Sequence, residues 1–377
     1  METLQLKKNR MKIKFNNLFL QNKIILKKIN KNLNNIILNS DFISGNEVKK
    51  FEKKFSKLIN VKHCIACGNG TDALYLSIKS LGLKQGQEVI TTSHSWISTS
   101  ETITQAGGKV VFCDTNQNDF NISVNQIKKK ITKKTAGIIC VHLHGNPCDV
   151  VAIKKIAKKN NLWIIEDCAQ AHLSKIKSKH VGSFADIGTF SFYPGKNLGA
   201  MGDAGCVVTN NSKLEKRIRL LANHGGKNKH LIEGINSRMD TFQAAILNLK
   251  IPFLKRWTSR RIAIANYYIR KLKNISQIIL PNYDFKNVHT FHQFVIKAKK
   301  RDLLRKFLFK RNIDTNIHYS KILPELPAYR YLKFNVKDFL NSKIASRNIL
   351  SLPLFPEINK KQLDYIVRVI KEFYNTK

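Results

Sequence analysis

Acidic side chains are scarce in this 377-residue sequence, and long apolar runs are missing. A membrane-spanning helix needs roughly 20 consecutive apolar residues, and the longest apolar stretches here, such as 136–143, have the length of buried strands. The basic N-terminus also lacks the uninterrupted apolar segment and cleavage site of a secretory signal. We therefore expect a cytoplasmic protein that does not cross a membrane, and we expect residues 1–10 to be an extension before a second start at Met11.

The seven cysteines are too few and too scattered for a disulfide framework in a chain of this length. Cys64 and Cys67 form one C-x-x-C pair, but no second pair exists to complete a zinc site. This distribution favours buried thiols in a reducing compartment, and it gives no support for a metal site.

Lysines and arginines number 66 against 25 aspartates and glutamates, a formal net charge of 66 − 25 = +41. A strong positive field favours phosphate-bearing partners. The basic residues are spread over the whole chain, however, and no nucleic-acid-binding module is recognisable. Nucleic-acid binding therefore remains a minor alternative and is not the expected function.

From residue 44 onward, helix-period stretches alternate with short β-branched runs, which is typical of a parallel sheet covered by helices. Ser44 and Glu47 have the spacing of a capping box, which predicts a helix start there. Strands are predicted at 63–66, 88–92, 110–113, 137–141, 162–165, 187–192 and 205–209. Helices are predicted from 71 and at 98–105, 123–131 and 150–159.

The C-terminal third has a different pattern, and no repeat or low-complexity linker precedes it. A long amphipathic stretch at 240–271 contains Pro252, and a strand at 292–296, a helix at 301–310 and terminal helices follow. We predict a large α/β domain, 13–250, and a smaller α+β domain, 251–377, with the N-terminal segment able to pack on the smaller one.

Two residues at predicted strand ends indicate a cofactor chemistry. Asp167 ends the run WIIED, and ligands of open parallel sheets bind outside the carboxyl ends of the strands. Lys196 lies in the turn YPGKNLG just after a strand. A lysine with a lowered pKa can form a Schiff base with an aldehyde cofactor, whose ring nitrogen needs a carboxylate partner. This pair predicts pyridoxal-phosphate chemistry.

A glycine turn that opens a helix is the third element of the predicted site. The sequence Gly70-Thr71-Asp72 brings backbone N–H groups and the positive end of a helix dipole together, which suits a phosphate. Glycine turns are more often plain connections, so this element counts only in combination with the other two.

From about residue 13 to its end, the sequence resembles the DegT/DnrJ/EryC1/StrS family of sugar aminotransferases. The stretches that carry the resemblance are FISGNEVKKFEKKF, GNGTDALYLSIKSLGL, IIEDCAQAH, GSFADIGTFSFYPGKNLGAMGDAG, NSRMDTFQAAIL and LSLPLFPE. The resemblance implies the fold-type-I, aspartate-aminotransferase-like architecture with a mainly parallel sheet. It also implies transfer of an amino group from glutamate to a keto sugar on a nucleotide carrier, for amino-sugar and surface-polysaccharide synthesis.

The resemblance assigns roles to individual residues. Lys196 looks like the Schiff-base lysine and proton carrier, and Asp167 like the partner of the cofactor's pyridinium nitrogen. Trp96 matches the aromatic residue that stacks on the ring, and Gln170 the residue beside its phenolic oxygen. The residues that match the phosphate site are Gly70, Thr71, Ser191 and, reaching the neighbouring subunit's cofactor, Asn236. That last match implies a homodimer with shared sites.

The predicted substrate pocket contains histidines. His318 and Tyr319 match a sugar-pocket segment of the family, in which Asn316 stands at a usual glycine. His94 lies near the cofactor loop and is a candidate for substrate recognition. His144 stands where relatives usually carry tyrosine, and with His142 it would lie on one strand face. Because a third ligand is not evident, this pair is interpreted as site wall or packing and not as a metal site.

Three alternatives stay open. A sugar dehydratase of the same family has histidine at the anchoring position, and Lys196 argues against it. An aminocyclitol aminotransferase would act on a free keto cyclitol. A regulatory or nucleic-acid-binding protein would keep the fold without catalysis. The sugar, the nucleotide and the position of the ketone do not follow from the sequence.

Overall fold

The computed structural model describes residues 11–375, so the expected extension at residues 1–10 lies outside the described residues. Strand and helix labels follow chain order. The strands are β1 His63–Cys67, β2 Glu88–Thr92, β3 Lys109–Cys113, β4 Thr135–Val141, β5 Trp163–Asp167, β6 Lys175–Ile176, β7 Lys179–His180, β8 Ile187–Ser191, β9 Gly205–Thr209, β10 Ile278–Ile279, β11 Asn287–Val288, β12 Phe294–Ala298 and β13 Ile349–Leu352.

Helices alternate with the strands over most of the chain. They are α1 Leu18–Lys23, α2 Leu26–Leu38, α3 Asn46–Ile59, α4 Gly70–Ser80, α5 Ser98–Gln105, α6 Val124–Lys130, α7 Val150–Lys159, α8 Ser212–Leu221, α9 Thr241–Lys250, α10 Leu254–Leu272, α11 Arg301–Lys310, α12 Leu340–Asn348 and α13 Lys360–Asn375. Within residues 11–375, no helix has both the length and the apolar character needed to cross a bilayer.

A seven-stranded sheet in the order β1-β9-β8-β5-β4-β2-β3 forms the centre of the larger part. The pairs β2–β3, β2–β4, β4–β5 and β5–β8 are parallel, and β9 is antiparallel to β1 and β8. Its strands are almost wholly buried because helices cover both faces, which explains their continuous apolar sequence. The predicted mainly parallel α/β sheet is confirmed. Because β1, β2, β4, β5 and β8 run the same way, their carboxyl ends meet at one edge.

The C-terminal part has a second sheet, β10-β12-β13, which is antiparallel. Its apolar face packs with α10, α11 and α13 into a separate core, which also contains Ile13 and Ile313, paired in a parallel bridge. We propose the division into 13–250 and 251–377 on the basis of these two sheets and their cores.

Three local predictions were wrong. Ser44 has φ 57°, and the helix begins after Gly45, where Asp41 and not Ser44 accepts a backbone hydrogen bond at the helix start, from Asn46 N–H at 3.0 Å. The amphipathic stretch 240–271 is interrupted by a 3-10 turn, Ile251–Phe253, because Pro252 cannot donate a helical hydrogen bond. The strand predicted at 292–296 is Phe294–Ala298.

Candidate active site

The predicted acid–lysine pair lies at the carboxyl edge of the large sheet. Asp167 is the last residue of β5 and is 5% exposed. Its carboxylate accepts hydrogen bonds from Thr99 Oγ1 at 2.9 Å and from the Ala169 N–H at 3.1 Å. Burial raises the pKa of Asp167, while these two bonds and the nearby Lys196 amine lower it. The carboxylate is therefore held in one orientation by donors on α5 and on the turn after β5.

Lys196 lies in the loop that follows β8, and its amine interacts electrostatically with Asp167. Burial lowers the pKa of Lys196 to about 8, although the Asp167 carboxylate acts in the opposite direction. A free lysine has a pKa near 10.4, so burial makes the neutral, nucleophilic amine accessible closer to neutral pH. This is the property that Schiff-base formation and proton transfer require.

A glycine-lined cradle lies where α4 begins. A Cβ on Gly70 would come 2.6 Å from Ser191 Cβ, so glycine is what allows α4 to approach the end of β8 this closely. Thr71 Oγ1 lies 2.8 Å from Ser98 Oγ, and Asn69 caps α4 by accepting from the Asp72 N–H at 2.8 Å. The first N–H groups of a helix have no partner within the helix, and they favour an anion.

Replacing Gly70 with alanine is expected to weaken cofactor binding about tenfold, since the added methyl group overlaps Ser191 and costs roughly 1–3 kcal/mol in a packed site. Fluorescence titration of the cofactor-free protein with pyridoxal phosphate measures the affinity. Thermal unfolding without cofactor serves as the control for a general loss of stability. Wild-type affinity in this variant would show that the phosphate binds elsewhere.

Aromatic and imidazole rings from both parts of the chain form one wall of the site. Gln170 donates to Tyr319 Oη at 3.0 Å and accepts from the His144 N–H at 2.7 Å. The Trp96 ring is 59% exposed, and its centroid lies 5.8 Å from that of Tyr319. His94 is fully buried, and its Nε2 lies 3.1 Å from the Tyr319 carbonyl oxygen. The structure thus brings the predicted ring-stacking, phenolic-side and sugar-pocket residues together.

His318 belongs to the same wall, with its ring centroid 5.7 Å from that of Tyr319, and Asn236 lies beside the cradle. His318 Nδ1 lies 2.9 Å from Ser351 Oγ, and burial and the Lys196 charge lower its pKa to about 4. Asn316, at the usual glycine position, forms an isolated antiparallel bridge with Ser351. Asn236 is exposed and precedes Ser237, whose hydroxyl donates to Asp72 Oδ2 at 2.7 Å next to the cradle.

The two histidines predicted on one strand face do not share one. β4 ends at Val141, and His144 lies in a 3-10 turn with φ 59°. His142, Glu166 and Cys168 could form a three-residue metal cluster by distance. However, His142 Nδ1 accepts from the Cys148 N–H at 3.0 Å, and Nε2 lies 3.0 Å from Glu166. Both ring nitrogens of His142 are therefore already bonded within the protein. All seven cysteines are buried free thiols, as predicted.

Glu166, next to Asp167, anchors the loop that precedes β8. Its fully buried carboxylate accepts from the N–H groups of Gly182, Phe184 and Ala185 at 2.8–2.9 Å and contacts His142. Burial raises the pKa of Glu166, but the hydrogen bond with His142 and those from the Gly182 and Ala185 N–H groups lower it below its ordinary value.

Glu166→Gln is expected to lower the free energy of unfolding by about 3 kcal/mol or more at pH 7, because it leaves backbone donors and His142 buried without their charged partner. A depressed folded-state pKa gives stability that is present above the unfolded pKa and is lost as pH falls through the folded pKa. The difference between variant and wild type in urea unfolding should therefore shrink in acid. Glu233→Gln, at an exposed position, is the control, and a difference that is constant with pH would contradict the assignment.

Sequence reasoning missed Thr99 and Ser98, which support Asp167 and Thr71. The sequence feature that could have identified them is the run Ser98-Thr99-Ser100 at the start of α5, just after the Trp96 loop. Hydroxyls at a helix start following a strand's carboxyl end are placed to meet a ligand or to support a residue that does.

The residues present fit pyridoxal phosphate. The cradle at Gly70 and Ser191 suits its phosphate, the buried Asp167 carboxylate suits a protonated ring nitrogen, and the Lys196 amine suits its aldehyde.

Comparisons with known proteins agree with this fit. A pleiotropic regulatory protein of Geobacillus stearothermophilus is 40% identical and covers 91% of this chain and 93% of its own length. A dTDP-3-amino-3,6-dideoxy-alpha-D-galactopyranose transaminase of Aneurinibacillus thermoaerophilus is 38% identical, with coverages of 92% and 95%.

Solved structures extend the comparison. DesV from S. venezuelae is 31% identical and superposes with a TM-score of 0.95 over 97% of this chain and 99% of its own. NtdA from Bacillus subtilis, solved with bound cofactor PMP, is 30% identical and has a TM-score of 0.86, over 93% of this chain and 82% of its own. The DegT/DnrJ/EryC1/StrS aminotransferase family model matches residues 23–371. The chain therefore belongs to the DegT/DnrJ/EryC1/StrS aminotransferase family, and it is a fold-type-I, pyridoxal-phosphate-dependent aminotransferase.

Proposed function

We propose that this enzyme transfers an amino group from glutamate to a keto sugar carried on a nucleotide, in the cytoplasm, for amino-sugar and surface-polysaccharide synthesis. The observation that carries the amine-transfer proposal is the Lys196 amine, with a pKa lowered to about 8, next to the buried Asp167 carboxylate. The substrate class is supported by relatives of 38% and 37% identity, named as a dTDP-3-amino sugar transaminase and a UDP-N-acetyl-3-dehydro-glucosamine aminotransferase.

In this proposal, Lys196 transfers a proton and Asp167 provides a negative charge to the ring nitrogen of the cofactor. When bound, pyridoxal phosphate supplies an electron sink for the carbanion left by loss of the donor's α-proton. The Lys196 Nζ would accept that proton and deliver it to the cofactor's C4′ carbon, since its lowered pKa lets it both accept and release a proton near neutral pH. Asp167 keeps its negative charge toward the ring nitrogen, and Thr99 keeps the carboxylate in place.

The remaining residues bind and orient the reactants. We propose that Gly70, Thr71 and Ser191 hold the phosphate and that Trp96 covers the ring face beside Gln170. Tyr319, His318 and His94 would form the sugar side, since they meet at one wall of the site. The exposed Asn236 would contribute to the cofactor phosphate of a second copy in a homodimer.

The test is a panel of dTDP-, UDP- and GDP-linked keto sugars with glutamate, scored by the mass change from ketone to amine. Because the names of several relatives specify position 3, 3-keto sugars are expected to react first. A free keto cyclitol included in the panel distinguishes the cyclitol alternative. Turnover of the cyclitol alone would overturn the proposed substrate and leave amine transfer intact.

The regulatory alternative has one observation in its favour, the name of the 40% identical relative. A salt-titrated DNA-binding assay on the same preparation tests it. Specific DNA binding without any amine transfer from glutamate would overturn the proposed function.

A further inference from the structure

A buried lysine supports the loop that carries Lys196. Lys250 is at the end of α9 and is only 2% exposed. Its Nζ donates a hydrogen bond to the carbonyl oxygen of Gly199 at 2.7 Å. Gly199 lies three residues beyond Lys196, so Lys250 contacts from α9 the same short loop that carries Lys196.

We expect a displacement of Gly199 to displace Lys196 as well, because the loop that contains both residues is closed by short internal contacts. The Ala200 N–H donates to the Phe192 carbonyl oxygen at 2.7 Å, and the Lys196 N–H donates to that of Tyr193 at 2.8 Å. A Cβ on Gly199 would lie 2.2 Å from the Pro194 carbonyl oxygen. With two internal hydrogen bonds and this close approach, a shift of the Gly199 carbonyl moves the Lys196 backbone as well.

Burying the charged Lys250 amine costs free energy, because the charge loses its hydration. Burial alone lowers the pKa of Lys250 to about 8, and among residues 11–375 it forms no ion pair with an acidic side chain. A methionine or leucine would fill the space without this cost. A charge-assisted hydrogen bond to one carbonyl is stronger than a neutral one, and it fixes that carbonyl in place.

The loop is also held on its other side. Asn197 Oδ1 lies 3.1 Å from His292 Nδ1, and the buried Arg261 donates to the carbonyl oxygens of Leu354 at 3.0 Å and His292 at 3.4 Å. His292 belongs to the C-terminal part of the chain. Two residues close to Lys196 are thus held by other elements. Lys250 of α9 holds Gly199, and His292 of the C-terminal part holds Asn197.

We propose that Lys250 is a positioning residue for the reaction, which holds Gly199 so that the Lys196 amine keeps one location while it moves a proton from the donor to the cofactor. This inference rests on the proposed role of Lys196 in amine transfer. Misplacing a reacting group by about 1 Å costs on the order of a hundredfold in rate, so the loss of a single anchor should be measurable.

The experiment compares Lys250→Met, which removes the donor at similar volume, with Lys250→Arg, which keeps it. Lys154→Met is the matched control, since Lys154 Nζ also donates to a main-chain carbonyl, that of Phe184 at 2.6 Å, outside the Lys196 loop. In the holoenzyme, Lys250→Met should lower the single-turnover rate with glutamate about 10- to 100-fold, with the half-saturating glutamate concentration unchanged. The visible circular dichroism of the bound cofactor should change, and Lys250→Arg should restore most of both signals.

A Lys250→Met protein with lowered thermal stability but with the wild-type rate and dichroism would overturn the proposal, because Lys250 would then only stabilise the fold. If Lys250→Met does not fold, Lys250→Gln, whose shorter and uncharged side chain loses the charge-assisted hydrogen bond to Gly199, replaces it. Wild-type rate and dichroism in that variant would count against the proposal equally. The dichroism is read without any sugar substrate. Failure of the proposed sugar transfer therefore leaves this test intact.

Discussion

Lys196→Ala is expected to reduce amine transfer at least about 1,000-fold, which lies within the range of about 100- to 10,000-fold for losing a positioned acid–base group. The variant removes the amine that interacts electrostatically with Asp167. It should lose both the attachment of the cofactor and the proton transfer, because the same Nζ atom performs both tasks in the proposed mechanism. It should keep its fold, since the side chain is partly buried and the loop's backbone hydrogen bonds do not involve it.

Three measurements distinguish these losses. Borohydride reduction followed by peptide mass spectrometry should find the cofactor mass on Lys196 in the wild type and on no lysine in the variant. Single-turnover rates with glutamate report the proton transfer, and thermal unfolding reports the fold. Lys216→Ala, at an exposed position on α8, should match the wild type in all three. Amine transfer that persists in Lys196→Ala would refute the assignment of the catalytic base.

The parallel-sheet part of the fold follows from local sequence because its elements are signalled locally. β2, β9, α5 and α7 begin and end at the predicted residues, since β-branched runs and helical periods there stop at clear polar or glycine residues. The capping box at Ser44 failed because spacing alone does not show which side chain reaches the helix start. In the structure, Asp41 reaches it from five residues upstream of Asn46.

Contacts between residues that are far apart in the sequence could not be predicted from the sequence. Asp167 and Lys196 could be proposed because each has a chemical signature at a strand end. The support of Asp167 by Thr99 depends on β2 and β5 both delivering residues to one edge, although 68 residues separate the two partners. The contact between Lys250 and Gly199 likewise joins residues 51 positions apart, and a lysine near the end of an amphipathic helix normally indicates a solvent-exposed position.

The wrong prediction that His144 shares a strand face with His142 has the same cause. Its spacing from His142 suggested one strand face, but the strand ends before either residue, and the backbone turns at φ 59°. The Gln170 side chain, which accepts the His144 N–H at 2.7 Å, stabilises this turn from the segment after β5. A periodicity of two is informative only while the strand continues, and the position of its end is set by such tertiary contacts.

Asp167→Asn is expected to lower the rate of amine transfer about 1,000-fold while the protein still binds the cofactor. The substitution keeps the shape of the side chain. The Ala169 N–H can still donate to the amide oxygen, and the Thr99 hydroxyl can rotate to accept from the new amide nitrogen. What is lost is the negative charge, without which the ring nitrogen is not held in its protonated form and the ring accepts electrons poorly.

Two comparisons test whether the charge and not the hydrogen bond matters. Thr99→Val removes one donor to Asp167 but keeps the charge, so its rate should fall only about tenfold or less. In the cofactor-free protein, Asp167→Asn should also lower the pKa of the Lys196 amine below about 8, because the carboxylate is the group that raises it. Labelling of Lys196 by an amine-selective reagent should then reach half its maximal rate at a lower pH than in the wild type. A half-maximal pH that stays constant, together with a rate within tenfold of the wild type, would show that Asp167 serves only to shape the site.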